Sequence, residues 1–215
     1  MQSNVPIPGN PWPHDMLITV EDRPTFLLEL LWIREAFVLR PHGDDLPPLL
    51  TDTPATVQNA AFSTATREDW EGAWPRIWHA AVAHAGRDIA PRLFDEIRTT
   101  PNGSTERADL LRLITGPNWR DEFGGSAFDF DSYITWSQRG MEAHLAAYST
   151  RLEDHPERRD LPALIPAWHA GLTTIVTIPC AGEFTRRVSN NALLMTDATR
   201  ENSNSYRRAL NTFVS

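Results

Sequence analysis

LTTIVTIPCAGEFTRRVSNNALLMTDATR, residues 172–200, holds the strongest strand signals in the chain. TTIVTIP is β-branched and alternates as a strand does. EFTRRV sets Phe184, Arg186 and Val188 against Thr185 and Arg187, and ALLMTDA makes a third run. The intervening CAG and SNN suit the positive φ of tight turns. This segment predicts a three-stranded antiparallel meander, closed by a helix over SNSYRRALNTF.

Upstream the period is helical. Residues 25–39 predict a helix, with Asp22 as its cap and Pro24 in its first turn. Glu29, Arg34 and Glu35 fall on different sides of it, and a helix without a polar face is central or at an interface. It is therefore the expected surface for a protein partner or for self-association. Thr66 is the expected cap of a second helix, whose Trp70, Trp74, Ile77, Trp78, Ala81, Val82 and Ala85 recur at helical spacing. Pro75 predicts a kink there, or a start near Trp74. The tryptophan stripe reads as core rather than as an aromatic ligand box.

Further helices are expected over 90–99, from Ser104 to Ile114, from Asp129 or Asp131 to about Leu152, and over LPALIPAWHAG, which Gly171 stops. LITV at 17–20 fits a short strand. Residues 1–15, with four prolines, read as an extended arm anchored by Trp12. Residues 40–65 read as a long irregular loop, a lid, a binding loop or disorder. The resulting fold class is α+β, one globular domain over 1–215 with a helical body and a strand-rich part at 161–215. The alternative is a mostly α fold with an appended hairpin.

All 20 basic residues are arginine. That bias fits a GC-rich bacterial coding sequence, and it removes every chemistry that needs a lysine: P-loop phosphate binding, protein-kinase catalysis, pyridoxal phosphate and Schiff-base enzymes. A single cysteine, Cys180, leaves no intrachain disulfide, no four-cysteine zinc site and no iron–sulfur cluster held by this chain alone. It also fits a reducing compartment. With no signal-peptide pattern and no run near the roughly 18 apolar residues of a membrane span, the expectation is a soluble cytoplasmic protein without membrane contact. A net charge of −8 argues against general nucleic-acid binding.

The charge is unevenly spread. Only three acids (Glu183, Asp197, Glu201) lie in 161–215, beside five arginines, so the net charge is −10 before residue 161 and +2 after it. Arg186 and Arg187, with Asn190 and Asn191 in the next turn, are thus the expected binding set for an anionic small molecule. The planar guanidinium suits carboxylate or phosphate. The competing reading is an internal salt bridge plus a tight turn. Cys180, at a strand end, is the one candidate nucleophile, and its plainer reading is a small buried thiol.

No metal or cofactor is implied. None of the seven histidines makes an H-x-x-x-H or H-E-x-x-H pair. Asp129 and Asp131 read as helix caps, and Asp121 and Glu122 as solvated loop charge. The expected function is a non-catalytic binding or protein-interaction module with an anion-binding Arg/Asn surface. A small hydrolase or transferase using Cys180 or Asp/His groups is the alternative.

Overall fold

A computed structural model describes residues 10–58, 63–87, 90, 92–147 and 151–214. The first nine residues of the expected arm lie outside this set, as do 59–62 of the irregular loop and Tyr148 of the long helix. Of the arm's remainder, Trp12 donates from Nε1 to the Met16 carbonyl (2.9 Å) and its ring lies under Arg158.

Four strands form one mixed sheet in the order β1-β2-β4-β3: β1 (Thr19–Asp22), β2 (Thr174–Ile178), β3 (Thr185–Arg187) and β4 (Ala192–Thr196). β2 runs parallel to both β1 and β4, and only β3 is antiparallel, to β4. The class is α+β as the sequence indicates, but the antiparallel meander is corrected. The strands lie where the pattern put them; their pairing differs. The reason is burial. Every residue of β2 and β4 is buried, and strands covered on both faces read as near-continuous apolar runs, the mark of a central parallel strand. The polar TRR of β3 is suited to an edge.

The two faces of the sheet feed two cores. Val176, Ile178 and Leu194 join one with α1 (Thr25–Ala36) and α2 (Thr64–Ala85). Ile175, Leu193 and Met195 join the other with α8 (Leu161–His169) and α10 (Ser203–Val214). The sheet is thus the middle of three layers, with helices on each side.

Within its layer α1 is central. Leu27, Leu30, Leu31, Trp32 and Ile33 are fully buried, so the helix spends its apolar surface inside this chain. That burial counts against a docking face over 25–39, where Val38, just past the helix, is an exposed apolar side chain. Its charges are buried with partners. Arg120 forks onto Glu29 (2.6 and 3.0 Å), and Tyr133 donates to the same carboxylate. No side chain caps α1; Asp22, the expected cap, ends β1 instead.

The proline-rich stretch after α1 is tied to the body. Arg34 donates to the carbonyls of Pro47 (2.7 Å) and Pro48 (2.6 Å), and Glu35 accepts from the Leu50 amide (2.6 Å). At the start of α2 Ser63, not Thr66, is the cap, accepting from the Thr66 amide at 3.1 Å. The helix runs through Pro75 without stopping. Trp74 and Trp78, stacked at 5.4 Å and fully buried, hold it on α1, and Trp74 donates to the Leu30 carbonyl. The remaining helices are α3 (Arg92–Thr99), α4 (Thr105–Thr115), α5 (Trp119–Phe123), α6 (Asp131–Ala147), α7 (Pro156–Arg159) and α9 (Asp197–Glu201). No helix among the described residues is long and apolar enough to cross a membrane.

Candidate functional site

The three parallel strands end on one side of the sheet, with Asp22 in register with Thr177 and Ile178 with Thr196. Ligands of open parallel sheets gather beyond such carboxyl ends, where loops diverge and backbone groups are no longer used by the sheet. A cleft of about 700 Å³ lies there, within the usual span for a small-molecule site. Its floor is Asp22 at the end of β1 with Arg23 after it, Pro179 after β2, and Asp197 and Arg200 after β4. One wall is α6, with Arg139, Gly140 and His144; the other is His155 to Arg159.

Three of the four arginines in the cleft are committed to acids. Arg139 forks onto Asp52 (2.9 Å, both bonds). Arg159 donates to the fully buried Asp160 (2.9 Å). Arg200 forks onto Glu157 (2.8 and 2.9 Å) and reaches Asp22 at 3.5 Å. Burial works against the charge of Arg200, but the bonds and charge of Glu157, then Asp22, outweigh it, and its pKa lies above that of free arginine.

Arg23 is the exception. Among the described residues its side chain donates no hydrogen bond and joins no ion pair. Burial lowers its pKa, while the more distant charges of Asp197 and then Asp52 work the other way. Its backbone sits at φ 57°, in the left-handed region, with its amide bonded to the Thr177 carbonyl. A non-glycine residue held there costs about 1–3 kcal/mol, and such strain clusters at binding sites. The guanidinium lies against α6 where that helix has Gly140, and a β-carbon at 140 would run into it.

Asp197 faces the same space from the end of β4. Burial raises its carboxyl pKa. Thr177, Arg23 and His144 pull it down, Asp22 pushes it further up, and the net shift is upward. Thr177 itself donates to Asp22 at 3.2 Å.

The residues singled out from sequence lie elsewhere. Arg186 and Arg187 stand on opposite faces of β3. Arg186 reaches Asp45 (3.9 Å to its carboxylate), whereas Arg187 lies over Phe213 and donates to the carbonyls of Ser189 and Phe213. The Asn191 side chain knits the turn, accepting from Ser189 (2.6 Å) and donating to Thr173. Asn190 is exposed. Arg186 and Arg187 thus engage different partners. Cys180 is 1 % exposed and outside the cleft. Burial pushes its thiol up to about 12, Arg34 lowers it less, and Glu35 and Asp197 add to the rise. It does not ionise near neutrality. Asp131 opens α6, Glu122 pairs with Arg76, and Asp121 accepts from Asn118. Among the described residues no group of three or more His, Cys, Asp or Glu is placed to hold a metal ion.

The cleft residues have one signal in the sequence: Asp22-Arg23 spans the end of a strand and Asp197 directly follows one. That signal works only when the strands are known to be parallel, since only then do their ends fall together. In comparisons with family models, curated proteins and solved structures the chain matches none.

Proposed function

We propose that this chain binds a small ligand bearing an oxyanion (a carboxylate, sulfate or phosphate group) in the cleft at the strand ends, with Arg23 as the anchor. The observation that carries this reading is the Arg23 guanidinium: half-buried, aimed into a ligand-sized cleft, held by a strained backbone, and without a hydrogen-bonding partner among the described residues. A guanidinium in that state has its planar fork free for an oxyanion. The turn at 186–191 supports the same chemistry less well, because its two arginines diverge. Calorimetric titration with acetate, sulfate and phosphate tests the reading. Binding of at least one of them is expected, lost in Arg23→Gln with little change in stability. If Arg23 only balances Asp197 inside the fold, no ion binds and Arg23→Gln unfolds at lower temperature.

A second reading, a hydrolase or transferase, is favoured by Asp197. A carboxyl with raised pKa facing a ligand cleft is suited to acid–base work. Under that reading Asp197→Asn retains ligand binding and loses turnover.

A further inference from the structure

Arg23 and Asp197 are placed as a pair that a ligand would separate. Each is the largest opposite charge acting on the other, yet they are not in ion-pair contact. Both line the same cleft, so an oxyanion on the Arg23 fork shares that space with the Asp197 carboxyl. The other groups acting on Asp197 are Asp22 from the end of β1, Thr177 from β2 and His144 from α6. Thr177 has one hydroxyl hydrogen, and both Asp22 (3.2 Å) and Asp197 draw on it. An incoming anion therefore meets a carboxylate unless one proton lies between them.

On the footing that the cleft binds an oxyanion at Arg23, we propose that it is a phosphate site that rejects sulfate. Arg23 forks the oxyanion, and Asp197 accepts a hydrogen bond from its P–OH. Sulfate carries no proton at neutral pH, so it has nothing to give Asp197 and is repelled by it. Inorganic phosphate keeps at least one proton there. Specificity of this kind comes from the repulsive element as much as from the attractive one. Lone pairs on an anionic carboxylate are acceptors only, which is what makes Asp197 the discriminating group and Arg23 the indifferent one. The cleft far exceeds a single phosphate in volume, and Ala143, Ala147, Pro156 and Pro179 give it apolar wall. A phosphate monoester with a small organic part fits this better than the free ion. The monoester is taken as its monoanion, which keeps one P–OH for Asp197 as inorganic phosphate does.

Competition calorimetry at neutral pH with inorganic phosphate, glycerol phosphate and sulfate is the test. The folded chain is expected to bind both phosphates, the monoester more tightly, and to prefer phosphate over sulfate by about tenfold or more, a discrimination of at least ~1.4 kcal/mol. Asp197→Asn, whose amide can donate, is expected to gain sulfate and erase the preference, while His144→Gln keeps it. Lowering the pH protonates Asp197 and should bring sulfate affinity up in the unaltered chain, so the idea is tested even if the variant misfolds. Equal affinity for sulfate and phosphate overturns the inference and leaves the oxyanion site standing. So does a preference that survives Asp197→Asn or vanishes only in His144→Gln. Glycerol phosphate binding no better than inorganic phosphate overturns the monoester assignment. If none of the three ions binds, or if Arg23→Gln binds them unchanged, the site itself falls.

Discussion

Two residues define how a single side chain can set the cleft. Gly140 lies inside α6, where glycine costs about 1 kcal/mol relative to alanine. Its place there is explained by the Arg23 guanidinium packed on that face. Gly140→Ala should therefore keep or slightly raise helix stability while displacing Arg23. The expected outcome is a melting temperature that does not fall, with oxyanion affinity reduced about tenfold or more, the worth of a charged hydrogen bond at 1.5–3 kcal/mol. Intact affinity in the variant would show that Arg23 has another resting place. Cys180 gives the opposite kind of case. Buried beside Arg34 and protonated at neutral pH, it should react with a thiol reagent only as fast as the protein opens. Labelling at the rate of a free thiol in native buffer would contradict its placement.

Elements are held by buried charge as much as by apolar packing. Arg34 on α1 ties down the stretch around Pro47 and Pro48, and that stretch in turn lies along the end of β2, where Thr51 donates to the Pro179 carbonyl (2.9 Å) and Leu50 bridges Cys180. Removing one partner of a buried, charged network costs about 3–5 kcal/mol. Arg34→Ala is expected to lower stability by that order and to open residues 40–52 to limited proteolysis; a fall in stability without new cleavage there would mean the loop is held by other contacts. Pro75 shows the same dominance of tertiary contact over local preference. Its missing amide should break α2, but Trp74 and Trp78 are worth more, buried, than the lost bond.

At the scale of the whole molecule the sheet makes the two ends of the chain interdependent. β2 lies between β1, from residues 19–22, and β4, and its two faces serve two helical layers. The strand-rich part at 161–215 carries most of one core itself, but alone it lacks β1 and the α1–α2 layer that covers the other face of its sheet. Thermal unfolding is expected as one cooperative transition, with calorimetric and van't Hoff enthalpies equal; two separated transitions would divide the chain into domains. Asp197 also leaves a mark on global stability. Its folded pKa is raised, so its favourable contribution is full below the ordinary carboxylate range and is lost as pH rises through the folded value. Asp197→Asn should thus be more stable than the unaltered chain at neutral pH, with the gap closing on acidification. A gap that widens toward acid would reverse the sign of that shift.

Local pattern was enough for several features of this protein. Helical spacing located most of the helices, Ser104 is the cap of α4 as expected, and the apolar runs at 174–178 and 192–196 mark β2 and β4. These are short-range properties, decided by residues within a turn or a strand of one another. Strand pairing was not open to that kind of reading, because an antiparallel hairpin and a parallel pair with an edge strand between them in sequence use the same local signals. Only the tertiary structure decided that β4 slots between β2 and β3 and that β1, some 150 residues earlier, completes the sheet. The candidate site follows from that decision. Asp22, Arg23, Gly140 and Asp197 share no motif and no spacing. What joins them is the common end of parallel strands and the helix that crosses it, a coincidence in space that burial of the sheet enforces and that no window of sequence contains.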